Sequence, residues 1–132
     1  MFLFDTNTVS LLFRAPSFSL ERKFKAAPPL SLFLSWIVEA EIRYGIAKKQ
    51  LEGTKLARLF DQFLSKVIVL PWTSSTAKEF ARLRTDSEST GVTLATVDLM
   101  IAASAKEHGL ILVTHDRALF RLRRWIHVED WT

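Results

Sequence analysis

The chain reads as an α/β domain with a mainly parallel sheet of four to five strands, flanked by helices on both faces. Short strand-like runs, Phe2 to Phe4, Leu30 to Leu34, Lys66 to Leu70 and Leu110 to Thr114, alternate with longer segments of helical periodicity. The runs are largely apolar rather than alternating, as strands buried on both faces are. Of 132 residues, 48% are hydrophobic and 24% charged, enough apolar material for a core and too little polarity for a disordered tail. The length suits one domain spanning residues 1–132.

Phe2 to Phe4 ends at the polar turn Asp5-Thr6-Asn7. Val9 to Phe13 begins a helical turn, broken by Arg14-Ala15-Pro16-Ser17. Phe18 to Ala27 reads as a short basic helix closed by Pro28-Pro29. After the strand Leu30 to Leu34, Ser35 caps a helix from Trp36 to about Gln50. Leu56 to Leu64 is a further helix, and Pro71 closes the strand Lys66 to Leu70. Thr73 to Glu88 is helical, with Ala77, Phe80, Ala81 and Arg84 on one line. Thr96 caps the apolar helix Val97 to Glu107, ended by His108-Gly109. Leu110 to Thr114 runs into His115-Asp116, and His127 to Glu129 forms a last edge strand.

In parallel sheets ligands bind beyond the carboxyl ends of the strands. Asp5 and Asp116 occupy such ends. Two further acids interrupt apolar helix faces. At about 100° per residue, Glu41 falls within the arc of Ile37, Val38, Ala40, Ile42, Tyr44 and Gly45. Asp98 heads the line Ile101, Ala102, Ala105. Each acid has a structural alternative. Glu41 could pair with Arg84, Asp98 could complement its helix dipole, and Asp5 and Asp116 could start Asx turns. Converging carboxylates repel one another, and a divalent cation removes that penalty. Hard oxygen donors suit Mg²⁺ or Mn²⁺. The chemistry open to such a site is phosphodiester hydrolysis.

The chain has no cysteine, which excludes disulfide frameworks, thiolate metal sites and a Cys nucleophile. Of the three histidines only His115 lies near the acids, and it reads as a surface loop residue. The N-terminus has no basic leader region, and no apolar run approaches the roughly 20 residues of a membrane span. The expectation is a cytoplasmic protein without membrane contact. Net charge is +4. That permits a polyanionic partner, with Arg117, Arg121, Arg123 and Arg124 as candidate backbone contacts beside Asp116. Arg22, Lys23 and Lys25 on the early helix read as a solvated face. The tryptophans Trp36, Trp72, Trp125 and Trp131 read as core or interface residues.

The segments Leu3-Phe4-Asp5-Thr6-Asn7, Ala40 to Gly45, Val97 to Ala103 and Leu112 to Asp116 stand in the order and spacing of PIN-domain proteins. Over its whole length the chain resembles the VapC-type toxins of prokaryotic toxin–antitoxin modules. The resemblance implies a PIN fold and a Mg²⁺- or Mn²⁺-dependent endoribonuclease. It implies that Asp5, Glu41, Asp98 and Asp116 form the metal pocket, that Asn7 orients the first carboxylate, and that Thr114 supplies a hydroxyl near the last acid. It further implies structured RNA, often tRNA, as substrate. The implied partner is a VapB-type antitoxin whose C-terminal segment fills a groove, and the toxin is expected to form a homodimer. Thr73, Ala95 and Leu119 depart from the pattern of many relatives, and Leu119 removes a fifth acid. The fourth position is Asn in some relatives, which leaves a water-mediated role open for Asp116.

Two other functions compete. Asp5-x-x-Thr8 after an apolar strand also begins haloacid-dehalogenase-type phosphohydrolase sites, but those need a second acid where Asn7 stands. A non-catalytic RNA- or protein-binding PIN module would be expected to have lost acids, and all four are present.

Overall fold

The computed structural model describes residues 1–132. Its sheet comprises β1 (Phe2–Phe4), β2 (Leu32–Ser35), β3 (Ile68–Leu70), β4 (Ile111–Val113) and β5 (Val128–Glu129). Every pairing is parallel, in the order β3-β2-β1-β4-β5. Leu3 stands opposite Leu112, and Phe4 opposite Val113. Successive residues of a strand face opposite ways. Leu3, Phe4, Leu112 and Val113 are all fully buried, so both faces of the sheet centre are covered. The parallel α/β architecture expected from the apolar runs is present.

The helices are α1 (Thr6–Arg14), α2 (Phe18–Ala26), α3 (Trp36–Lys48), α4 (Lys55–Leu64), α5 (Ser74–Ser89), α6 (Thr96–His108) and α7 (Arg117–Phe120). Several start on a side chain that accepts from an otherwise unpaired N–H. Asp5 caps α1, Ser17 caps α2, Ser35 caps α3, Thr54 caps α4 and Asp116 caps α7. Gly109 closes α6 at φ 61°, a left-handed conformation that favours glycine.

On one face of the sheet, Phe2 and Phe4 both meet the edge of Trp131, at 4.8 and 5.3 Å between ring centres. Phe4 also lies 6.3 Å from Phe24 of α2. The Trp131 indole N–H donates to Glu129 at 2.9 Å, so a buried polar tip is satisfied. Trp131 is thus core, Trp72 and Trp125 are half-buried, and Trp36 is exposed.

Four local expectations need correction. The stretch Asp5-Thr6-Asn7 is not a free turn, because α1 starts at Thr6 with Asp5 as its cap. The α3 helix ends at Lys48, and Gln50 takes a positive φ of 54° in the turn that follows. Thr96 is the first residue of α6 rather than its cap; Ala95 holds that place without a side-chain bond. The buried line of α5 runs Thr76, Leu83, Ser87 with Phe80 half-buried, while Ala77, Ala81 and Arg84 are exposed.

The topology positions the site. The chain lays β2 and β3 to one side of β1, then returns to lay β4 and β5 on the other. The crevice beyond the carboxyl ends of β1 and β4 is the switch point where parallel sheets bind ligands.

Gly45, in the middle of α3, is a local cost that the fold does not require. A methyl group built there meets nothing within 4 Å. Glycine inside a helix is about 1 kcal/mol less favourable than alanine. Gly45→Ala is expected to stabilise the free protein by about 1 kcal/mol, read as a rise of a few degrees in a thermal melt.

Candidate functional site

Asp5 is held on both carboxylate oxygens. Its Oδ1 accepts from the Thr8 backbone N–H at 2.8 Å, and its Oδ2 accepts from the Thr114 hydroxyl at 2.5 Å. Only 3% of its surface is exposed. Thr114 is itself buried and its Oγ1 accepts from the Asp116 N–H at 2.9 Å. A continuous path of hydrogen bonds therefore links the end of β1 to the end of β4. Asp116 in turn caps α7, its Oδ1 accepting from the Ala118 N–H at 2.9 Å.

Asp98 enters from the first turn of α6, above the buried residues Ile101, Ala102 and Ala105. Burial raises its pKa, and the charges of Asp116, Glu41 and Asp5 push it further up. The four acids picked from the sequence thus share one electrostatic neighbourhood. No three of them close to within coordinating reach of a single point. They are near enough to repel one another but are not drawn together as a preformed cage.

Glu41 differs from its expectation. It is exposed, not buried in an apolar face. The buried side of α3 is set by Ile37 and Val38, with Ile42 and Ile46 packed behind them, and Tyr44 is 65% exposed. Glu41 makes no ion pair with Arg84, which pairs instead with Glu88 at 2.9 Å. Its carboxylate accepts from the Thr6 hydroxyl at 2.5 Å.

Asn7 is exposed and bonds to neither oxygen of Asp5. The orienting contacts come from Thr8 and Thr114. Thr8 could have been found as the third residue of an Asp-capped helix. Nothing in the sequence singles out Thr6. His115 is half-buried beside the acids, with its Nδ1 buried and without a partner.

Arg117, Arg121, Arg123 and Arg124 are all exposed on the α7 side of Asp116. Arg121 is steadied by the carbonyls of Thr93 and Gly91, and Arg124 lies over the Trp125 ring at 5.6 Å. On α2, Arg22 and Lys25 are exposed and Lys25 pairs with Glu21, as a solvated face would.

An apolar groove adjoins Glu41. Phe13 of α1, Ile42 and Ile46 of α3, and Leu56 and Phe60 of α4 line it, with Gly45 on its wall. Thr6 and Glu41 border it at one place, and Arg14 and Lys49 add positive charge to its lining.

Comparison with known proteins bears on the fold and the family. The PIN domain model matches residues 2–124. The chain is 27% identical to the tRNA(fMet)-specific endonuclease VapC of Shigella flexneri, over 99% of this chain and 98% of that one. It is 30% identical to toxin FitB of Neisseria gonorrhoeae, over 91% of each. Among solved structures, the DNA-bound VapBC of Salmonella typhimurium superposes with a TM-score of 0.82 at 25% identity, covering 99% of this chain and 98% of that one. A matched family model over nearly the whole length, carried on a five-stranded parallel sheet, leaves one assignment: the chain belongs to the PIN-domain family, among its VapC-type toxins.

Proposed function

We propose that the chain is a metal-dependent endoribonuclease, the toxin of a toxin–antitoxin pair, cutting structured RNA such as tRNA in the cytoplasm. The observation that carries this reading is the burden on Asp98, a half-buried carboxyl whose pKa is raised by burial and by three neighbouring acids. Such repulsion is costly in a free protein and is relieved by a cation. The donor set is all carboxylate oxygen, and its members are close enough to repel one another. That suits a hard ion that keeps several waters, Mg²⁺ or Mn²⁺. Asp5, Glu41, Asp98 and Asp116 would hold it. When bound, it supplies the Lewis acid and the low-pKa water that phosphodiester hydrolysis needs.

The remaining work falls to the chain. Thr8 and Thr114 hold Asp5 rigid, and Asp116 is held by the start of α7. Arg117, Arg121, Arg123 and Arg124 offer unpaired charge to an RNA backbone beside the acids. The substrate class rests on relatives, the Shigella protein being named for tRNA(fMet). So does the partner, because the similar solved structures include VapBC complexes. The apolar groove beside Glu41 gives a VapB-type antitoxin segment an apolar seat flanked by charge. A homodimer accords with the exposed apolar side chains of Trp36, Tyr44 and Val97. No helix is long and apolar enough to cross a membrane.

The test is cleavage of a labelled tRNA pool by the purified chain, with the new RNA ends sequenced. Discrete cuts are expected with Mg²⁺ or Mn²⁺. EDTA is expected to abolish them, and restoring the cation to bring them back. Cleavage that persists at full rate in EDTA overturns the reading.

A further inference from the structure

Glu41 is the acid with the least protein around it. It is exposed, it takes part in no ion pair, and the Thr6 hydroxyl is the one side chain that bonds its carboxylate. The nearby cation is drawn elsewhere: Arg43 pairs with Glu39 at 2.7 Å and with Asp61 at 3.3 Å. A free glutamate on a helix surface samples many rotamers, and ordering it costs entropy. Asp5 and Asp116, by contrast, sit at strand ends and receive backbone N–H bonds.

Thr6 is well placed to supply the missing order. It follows Asp5 directly and is the first residue of α1, so its backbone is held by the end of the central strand. Its side chain is β-branched and stiff about χ1. Its Oγ1 reaches Glu41 on α3 at 2.5 Å, across 35 residues of sequence. A hydrogen bond to a charged acceptor is stronger than a neutral one. Neither end of this bond is needed for the core, because Glu41 is exposed and Thr6 only half-buried.

We infer that Thr6 is a positioning residue, whose hydroxyl holds the Glu41 carboxylate toward the other acids. The inference rests on the reading of Glu41 as part of the metal site. It gives Thr6 a role in cleavage that acts only through Glu41.

The test is a double-mutant cycle on the full chain, with two readouts. One is cleavage of a tRNA substrate. The other is Mn²⁺ affinity of the RNA-free protein by titration calorimetry. Thr6→Val keeps shape and branching but removes the donor. It is expected to weaken Mn²⁺ binding and lower kcat by about tenfold, the low end for outer contacts to a metal ligand. KM for RNA should change little. Thr6→Ser keeps the hydroxyl and should retain wild-type values. In a Glu41→Gln background, adding Thr6→Val should cost nothing more. Melting curves check that each variant is folded, and Thr6→Ala replaces Thr6→Val if that one is not.

Wild-type Mn²⁺ affinity and kcat in folded Thr6→Val, alongside an impaired Glu41→Gln, overturns the role of Thr6 alone. Additive losses in the double variant overturn it too, because Thr6 would then act without Glu41. Wild-type behaviour of Glu41→Gln itself removes Glu41 from the site, and the reading beneath the inference falls with it.

Discussion

Asp5→Asn is expected to lower RNA cleavage by about 10³-fold, the scale of several kcal/mol of lost charge stabilisation at a metal site. Asn is the informative replacement because Asp5 is also structural. Its Oδ1 caps α1 and its Oδ2 receives the Thr114 hydroxyl. Asn caps a helix about as well as Asp, so the fold should survive. Asp5→Ala removes the cap and strands a buried hydroxyl. Together these cost about 2–4 kcal/mol, and inactivity of the Ala variant would not separate chemistry from unfolding. Cleavage rate and thermal melt, measured on both variants, check this. An Asn variant that cuts RNA at the wild-type rate refutes the placement of Asp5 in the chemistry.

Asp98→Asn is expected to do the opposite to stability while matching the loss of activity. Burial and then Asp116, Glu41 and Asp5 raise the Asp98 pKa in the folded chain. Between the unfolded and the folded value, the folded state holds a proton that the unfolded state has released. Its contribution to stability is fully present below the unfolded value and is lost as pH rises through the folded one. At neutral pH, without metal, an ionised Asp98 is a penalty. Its first-turn position in α6 offsets only part of it, since such a dipole interaction is worth about 0.3–1 kcal/mol. Melts in EDTA should show Asp98→Asn above wild type at pH 7, the gap shrinking to nothing below the ordinary carboxylate range. Adding Mn²⁺ should raise the wild type and not the variant. A gap that does not depend on pH, or a variant that melts lower at pH 7, refutes this account.

Much of the fold was legible because its strands are short apolar runs with clear stops, such as Asp5 after β1 and Pro71 after β3. Asp5 and Asp116 declared themselves by standing where such runs end. Asp98 did so by heading a buried line. Glu41 was found for a reason that the structure revises. Counting Ala40, Tyr44 and Gly45 as core rotated the apolar arc of α3 toward Glu41. The packed residues are Ile37, Val38, Ile42 and Ile46, and Glu41 lies beyond their edge. Helix α5 failed similarly. Its buried line includes Thr76 and Ser87, which apolar counting passes over. Both are satisfied inside, Thr76 donating to Glu107 at 2.5 Å and Ser87 to the Arg84 carbonyl at 3.2 Å. Such polar partners come from distant chain or from the helix backbone, and periodicity does not record them. Thr6 escaped notice for the same reason, because its partner is 35 residues away.

The strand order also bears on when this protein becomes dangerous to the cell that makes it. β1 is translated first yet lies at the centre of the sheet, and its second neighbour, β4, comes from the last quarter of the chain. Asp5 receives the Thr114 hydroxyl only after that late strand has docked. A nascent toxin still held on the ribosome therefore lacks both the seat of its first acid and the whole of its fourth. On the proposed function, the ability to cut RNA is therefore withheld until the last quarter of the chain is free to fold.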